Sequence, residues 1–183
     1  NDVSFGDVSF AELDYGADEW ATRLASHARR LGSGTGKLLL GIEIEARSPI
    51  IKAYLGALKG GHPVILAEPG ALSKDSAIAR RYRPNLILSM QGDECRFTEA
   101  CSEGAELHPE LALLLSTSGS TGDPRLVRLS RDALDSNARA ISEYLGLTSA
   151  DKAVTSLPLH YSYGLSVLHA HLAVGASIVL VDG

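Results

Sequence analysis

Cysteine is scarce in this sequence, with only Cys95 and Cys101 among 183 residues. A cysteine-based metal site needs closer pairs and more ligands than these two thiols and the nearby His108 supply, so we expect reduced, structural thiols. Long apolar runs are also missing, and the sequence therefore predicts no membrane span. The first residues, Asn1 to Phe5, lack the basic region and apolar stretch of a secretory signal. Together these absences favour a cytoplasmic protein.

Positive charge is not in excess. Lysine and arginine number 17 against 22 aspartates and glutamates, which gives a net charge of −5. This balance disfavours a protein that binds nucleic acid or an anionic membrane non-specifically. It is compatible with a nucleotide site, where a few local donors outweigh the global charge. With 45% hydrophobic and 21% charged residues, the composition is that of a globular domain and argues against disorder.

Several common catalytic and nucleotide-binding signatures are absent or misplaced. No Gly-x-Ser-x-Gly occurs, so a nucleophile elbow is not predicted. The glycine-rich stretch from Gly32 to Gly36 follows a predicted helix and precedes a predicted strand, which is the reverse of a dinucleotide fingerprint. We interpret it as a helix–strand connection. No loop ends in the Gly-Lys-Ser/Thr of a Walker motif.

Predicted helices and strands alternate along the chain. Apolar spacing, serine caps and glycine or proline stops predict helices over 14–31, 49–59, 73–82, 131–145 and 165–174. Short apolar runs predict strands over 37–42, 63–67, 86–88, 111–115, 126–129, 153–157 and 178–181, with a further short strand near 95–98. This alternation with short connections predicts an α/β fold, with a mostly parallel sheet flanked by helices.

One loop is chemically distinctive. The apolar run at 111–115 leads into small hydroxyl and glycine residues closed by a proline and a cation: Ser116, Thr117, Ser118, Gly119, Ser120, Thr121, Gly122, Asp123, Pro124 and Arg125. Small side chains leave backbone N–H groups accessible to one anion, and Arg125 adds a donor fork suited to phosphate oxygens. From the residues alone, a polyphosphate-binding loop and an ordinary polar surface turn both remain open.

Four segments, taken in order, resemble the adenylate-forming superfamily, which contains acyl- and aryl-CoA synthetases, adenylation domains of peptide synthetases and luciferases. These segments are Ser9 to Leu13, Leu55 to Leu66, Thr117 to Arg125 and Leu157 to Leu165. An ordered set from residue 9 to residue 165 is far more specific than any one of its members. The resemblance implies that residues 1–183 form a single, incomplete N-terminal AMP-binding domain, without the mobile C-terminal domain.

The resemblance also implies a reaction. An ATP-dependent ligase would join a carboxylate to the α-phosphate of ATP, release pyrophosphate, and pass the acyl group to the thiol of coenzyme A or a carrier protein. The implied hydroxyl donors to the β- and γ-phosphates are Thr117, Ser118, Ser120 and Thr121. Gly119 and Gly122 would admit backbone N–H groups, and Arg125 would take the place of the family's lysine as the catalytic cation. Ligands for magnesium are expected downstream, so residues 1–183 alone are expected to be inactive.

The fourth segment is implied to lie beside the carboxylic acid. His160, Tyr161 and Gly164 would form a wall of the acid pocket. The family's usual histidine aligns with Tyr161, while His160 stands one place earlier, so both remain candidates to face the substrate. For Tyr163 we expect packing beneath the loop.

Two residues depart from the family pattern, because Arg125 replaces a lysine and Leu126 replaces a glycine. Arginine keeps the charge but changes reach and geometry. These departures support an alternative, a non-catalytic interaction module that kept the adenylation fold. An unrelated phosphate-binding α/β protein would explain the loop but would leave the other three segments as coincidence.

Other polar residues have simpler interpretations. His169 and His171 lie two apart on a predicted helix and point to different faces, so a shared metal is not expected. Glu43 and Glu45 alternate with apolar neighbours and are interpreted as the solvated face of a strand end.

Overall fold

The computed structural model describes residues 5–31, 36–102, 105–116 and 125–181. Within these residues the helices are α1 (Phe10–Arg30), α2 (Ser48–Lys59), α3 (Ala77–Tyr82), α4 (Arg131–Leu145) and α5 (Ser162–Ala173). The strands are β1 (Phe5–Val8), β2 (Leu40–Glu43), β3 (Val64–Ala67), β4 (Leu86–Gln91), β5 (Glu94–Glu99), β6 (Leu111–Ser116), β7 (Leu126–Ser130), β8 (Lys152–Val154) and β9 (Ser177–Val181).

Six strands form the main sheet in the order β5-β4-β2-β3-β6-β7. The four central strands are parallel, and β5 and β7 are antiparallel edges. The predicted α/β fold with a mostly parallel sheet is therefore confirmed. A second sheet, in the order β1-β9-β8, was not predicted. Its first strand has the sequence Phe5-Gly6-Asp7-Val8, whose glycine and aspartate have low strand propensity, so composition gives little signal for it.

The central strands are apolar because both of their faces are covered. All four residues of β2 and all four of β3 are buried. Glu43 is the charged residue among them, and its side chain is only 8% exposed. One of its carboxylate oxygens accepts a hydrogen bond from the Leu72 backbone N–H at 2.6 Å, which offsets part of the cost of burying a carboxylate. The expectation that Glu43 is solvated is wrong, because the segment after β3 covers this strand end; Glu45 is half-buried.

Helix α1 begins at a capping box. The Ser9 hydroxyl accepts the Glu12 backbone N–H at 3.2 Å, and the Glu12 carboxylate accepts the Ser9 backbone N–H at 3.0 Å. The hydrogen bond from the Ser9 backbone lowers the pKa of the Glu12 carboxyl. The first family-like segment thus starts a helix. The sequence prediction placed this start four residues too late, at Asp14.

Helices α1 and α2 pack unusually closely. A methyl group on Gly56 would lie 2.4 Å from Trp20 Cβ and 2.6 Å from the Ala17 carbonyl oxygen. A methyl group on Gly16 would lie 2.5 Å from Lys52 Cδ. The two helix backbones come close together where glycine leaves room.

Other boundaries differ modestly from the predictions. Helix α3 starts at Ala77 after the Ser76 cap, four residues later than predicted, and ends at Tyr82, before the left-handed Arg83 with a φ of 52°. Leu145 is apolar but 58% exposed, because it is the last helical residue before the left-handed Gly146. Strand β8 ends at Val154 rather than at residue 157.

Cys95 and Cys101 are not joined by a disulfide. Cys95 is buried on β5, and burial raises the pKa of its thiol to about 12. Cys101 is half-buried after β5. Among the described residues, no helix combines the length and the apolar character that crossing a membrane requires.

Candidate functional site

The segment from Thr117 to Arg125 connects two neighbouring strands of the main sheet. Strand β6 ends at Ser116, β7 begins at Leu126, and these two residues are register partners. Because β6 is parallel to β3, its end belongs to the carboxyl edge of the parallel strands. Open α/β sheets bind ligands outside this edge. The predicted strands on both sides of the segment are confirmed.

The candidate phosphate ligands divide between described and undescribed positions. Those outside the described residues are Thr117, Ser118, Gly119, Ser120, Thr121 and Gly122. Arg125 is described and exposed at the closing end of the segment. The next residue, Leu126, donates its backbone N–H to the Tyr82 hydroxyl oxygen at 3.0 Å. The backbone that carries the predicted catalytic cation is therefore tied to the end of α3.

The second candidate cluster lies between β8 and α5. His160 is half-buried, and its ring centroid is 4.3 Å from that of Tyr161, with the rings tilted by 45°. Tyr161 is 51% exposed and is the N-cap of α5. Its backbone N–H donates to the Pro158 carbonyl at 3.2 Å, which closes the turn. The turn thus holds both candidate rings side by side at the start of a helix.

Gly164 has a clear packing reason in this turn. A methyl group there would lie 2.5 Å from the Pro158 carbonyl oxygen and 2.8 Å from that of Leu157. The turn folds directly over the first turn of α5, and only glycine fits beneath it. Tyr163, in contrast, is 70% exposed. The expectation that Tyr163 packs beneath the loop is wrong, because the buried positions of this helical turn are Gly164 and Leu165.

The two clusters are linked through α4. Strand β7 passes into α4 at Ser130, whose hydroxyl accepts the Ala133 backbone N–H at 3.2 Å. Helix α4 then packs on α5, where the Asn137 amide lies 3.2 Å from the Ser166 hydroxyl. In the described part of the chain, no hydrogen bond joins Arg125 to His160 or Tyr161. The structure therefore brings His160, Tyr161 and Gly164 together at the start of α5 and places Arg125 directly before β7.

A polar pair formed by the buried Tyr54 and the half-buried His169 was not found from the sequence. The Tyr54 hydroxyl and His169 Nε2 share a hydrogen bond of 2.9 Å, and the two rings are parallel within 3°. Burial lowers the pKa of His169 to about 4 and raises the pKa of Tyr54. The residues are 115 positions apart, so no local pattern marks the pair. His171 bonds separately, with Nδ1 2.9 Å from the Val167 carbonyl oxygen.

His169 also lines a cavity of about 390 Å³ between α1, α2, α4 and α5. Its mostly apolar wall is rimmed by Arg131, Asp135 and Arg139. The Arg131 guanidinium donates a hydrogen bond to the Leu58 carbonyl at the end of α2. None of the described sequence-predicted site residues lines this cavity.

The protonation of His169 should make stability depend on pH. Its folded pKa of about 4 lies below its usual value near 6.5, so between these values the unfolded chain binds the proton more readily. Stability should therefore fall as the pH drops from 6.5 to 4, by about 2 kcal/mol from this residue. The measurement is urea unfolding of the full-length protein at pH 7 and at pH 4.5.

His169→Gln should reduce this pH dependence, because the amide can still bond Tyr54 but does not titrate. The pKa values of His27 and His62 are also lowered, mainly by burial, so part of the slope should remain. His108→Gln, at an exposed site, is the matched control. An identical slope in wild type and in His169→Gln would contradict the prediction.

The fold is that of adenylate-forming enzymes, as solved structures show. The AMP complex of O-succinylbenzoate coenzyme A synthetase (MenE) from Bacillus subtilis matches with a TM-score of 0.69 at 23% identity, over 93% of this chain and 38% of that one. ATP-bound MatB from Rhodopseudomonas palustris matches with a TM-score of 0.70 at 20% identity, over 93% of this chain and 39% of that one.

The sequence comparisons give the family. A family model described as AMP-binding enzyme matches residues 71–183, more than half of the chain. The chain therefore belongs to the AMP-binding enzyme family, within the adenylate-forming superfamily that its four segments resemble.

Two curated relatives show how similar this chain is to known ligases. The 2-succinylbenzoate–CoA ligase of Bacillus subtilis (strain 168) is 27% identical over 188 residues, which is 94% of this chain and 38% of the relative. The 3,4-dihydroxybenzoate–[aryl-carrier protein] ligase of Bacillus anthracis is 33% identical over 94 residues, which is 50% of this chain and 22% of the relative. The chain thus spans well under half the length of either relative.

Proposed function

We propose that the full-length protein is an ATP-dependent carboxylate ligase that forms an acyl-adenylate with release of pyrophosphate. Residues 1–183 would be the first part of its N-terminal domain, followed by a mobile C-terminal domain. The observation that carries the proposal is the position of Arg125. This cation closes a serine-, threonine- and glycine-rich segment at the carboxyl edge of the parallel sheet, in a chain of the AMP-binding enzyme family.

The chemistry needs little from the protein beyond placement and charge. When the carboxylate attacks the α-phosphate, negative charge builds on the departing pyrophosphate. Preorganised donors directed at that charge stabilise the transition state more than the ground state. The donors proposed for the β- and γ-phosphates are the hydroxyls of Thr117, Ser118, Ser120 and Thr121, the backbone N–H groups admitted by Gly119 and Gly122, and the guanidinium of Arg125.

Magnesium would supply further charge neutralisation when bound with the nucleotide. Across residues 5–31, 36–102, 105–116 and 125–181, no group of three histidine, cysteine, aspartate or glutamate side chains is arranged to hold a metal. We propose, from the family resemblance alone, that the magnesium ligands lie downstream. Because these ligands and the mobile C-terminal domain are proposed to lie downstream, the 183-residue piece alone should not catalyse the reaction.

The acid is proposed to lie beside the turn at the start of α5. His160 and Tyr161 present a half-buried and an exposed ring next to each other, and Gly164 keeps the turn close to the helix. The two curated relatives are named as ligases to coenzyme A and to an aryl-carrier protein. Both acceptors are thiols, so we propose thioester formation as the second half-reaction.

Pyrophosphate exchange by the full-length protein tests the first half-reaction. Labelled pyrophosphate should enter ATP only when a cognate carboxylic acid is present, and a panel of aliphatic, aromatic and amino acids should reveal that acid. A folded protein that binds ATP but exchanges with no acid would overturn the proposal.

One observation favours a second candidate, a non-catalytic interaction module. Arg125 and Leu126 stand where the family resemblance leads us to expect lysine and glycine. A module of this kind would lack exchange activity. It would also lack two features that the family resemblance implies downstream, an adenine-binding segment and a lysine in the C-terminal domain. Reading the downstream sequence separates the two candidates at once.

A further inference from the structure

The Tyr82 hydroxyl holds the backbone beside Arg125. It accepts the Leu126 N–H at 3.0 Å, across 44 positions of sequence. This N–H belongs to the same planar peptide unit as the Arg125 carbonyl. The hydrogen bond therefore restrains the direction in which the chain leaves Arg125, at the point where β7 begins.

Tyr82 is itself firmly placed. Its side chain packs with Ile78 and Leu126 against a buried cluster that contains one residue each from the segment before β2, from β3 and from β6: Leu39, Ile65 and Leu114. The Arg81 guanidinium lies 5.9 Å from the Tyr82 ring centroid. The oxygen that meets Leu126 is thus carried by a ring that is packed on the main sheet.

The turn that follows Tyr82 is tied to the same sheet. The Asn85 side-chain oxygen accepts the Leu39 N–H at 2.9 Å, and its amide donates to the Cys101 carbonyl at 3.2 Å. The Asn85 backbone N–H donates to the Leu39 carbonyl at 2.7 Å. Asn85 is buried, so these bonds hold the end of α3 against the strand layer.

We propose that Tyr82 is a positioning residue for Arg125, acting through the Leu126 backbone; the inference depends on the proposed function. A charged group stabilises a transition state best when it is already in position, so that no free energy is spent on moving it during the reaction. Small displacements of a positioned group reduce rates strongly. Tyr82 supplies this placement without contacting the nucleotide, and its effect should appear in turnover rather than in binding of the acid.

Tyr82→Phe in the full-length protein removes one oxygen and keeps the packed ring. Pyrophosphate exchange should show a kcat reduced about tenfold, with the KM for the acid within twofold of wild type. Tyr144→Phe is the matched control, because Tyr144 is 89% exposed on α4, and it should match wild type. Hydrogen exchange of peptides covering 126–130, measured without nucleotide, should be faster in Tyr82→Phe alone.

A double variant tests whether Tyr82 acts through Arg125. In an Arg125→Ala background, Tyr82→Phe should cause no further loss of exchange rate, because the positioned group is gone. A second tenfold loss there would overturn the inference. So would an active wild type whose rate is unchanged by Tyr82→Phe.

The outcomes separate the two levels of the proposal. A wild type without pyrophosphate exchange overturns the proposed function, and with it the catalytic part of the inference, while hydrogen exchange at 126–130 still decides whether Tyr82 anchors β7. A Tyr82→Phe protein with a raised acid KM and a thermal midpoint many degrees lower would instead indicate general destabilisation and would overturn the positioning role.

Discussion

Arg125→Ala in the full-length protein should lower the kcat of pyrophosphate exchange about 100-fold. The guanidinium is proposed to meet charge that develops only as pyrophosphate departs, so its loss should affect turnover more than ground-state binding. The KM for the acid should stay within twofold, because His160, Tyr161 and Gly164 lie on another element. Steady-state exchange at saturating ATP, with the acid varied, measures both quantities.

Two further variants sharpen this result. Arg125→Lys should recover most of the rate, since lysine keeps the charge but lacks the donor fork. Arg128→Ala removes the same charge from an exposed position of β7, three residues after Arg125, and should leave exchange unchanged. Equal rates for Arg125→Ala and wild type would show that the cation takes no part in adenylation.

Gly56→Ala should destabilise the protein, although alanine is the better helix former. Helix propensity alone favours alanine by about 1 kcal/mol. Here the added methyl group would lie 2.4 Å from Trp20 Cβ and 2.6 Å from the Ala17 carbonyl oxygen. These are atoms at the α1 backbone, which cannot rotate away, so the two helices must separate. We expect a net loss of roughly 2 kcal/mol, seen as a thermal midpoint lower by about 4–8 °C for the unit that contains α1 and α2.

The opposite substitution, alanine to glycine at an exposed helix position, measures the effect of helix propensity without any steric clash. Ala140 lies in the interior of α4 and is exposed, so Ala140→Gly should cost about 1 kcal/mol through propensity alone. A Gly56→Ala protein that is more stable than wild type would mean that α1 and α2 are farther apart than this structure places them.

The sheet was predictable because its signal is local. Parallel strands covered on both faces need continuous apolar runs, and the runs at 64–67 and 111–115 supplied them. The Ser130 cap marked the start of α4, whereas the start of α3 was predicted at Ser73 although its cap is Ser76. The capping box of Ser9 and Glu12 was equally visible in the sequence, and using it would have placed the start of α1 correctly.

Contacts between residues that lie far apart in the sequence could not be predicted. Glu43 looked solvated from strand alternation, because nothing in its own strand indicates that the Leu72 backbone covers it. The Tyr54–His169 and Tyr82–Leu126 hydrogen bonds join residues on different elements, and each requires the sheet order to be known first. The same holds for the candidate site. Its segments were identified by resemblance, whereas the hydrogen bond between Tyr82 and the residue after Arg125 became visible only in the folded structure.

The small sheet has a consequence for how the chain is made. Its strand β1 pairs antiparallel with β9, so that Phe5 meets Val181. The ribosome synthesises β1 more than 160 residues before β9. Contacts between segments so far apart in sequence form slowly. The main sheet, whose strands lie between them, can assemble while Phe5–Val8 still awaits a neighbour. Nascent protein should therefore expose that edge until Ser177–Val181 emerges, and chaperones that bind extended segments have their best opportunity there.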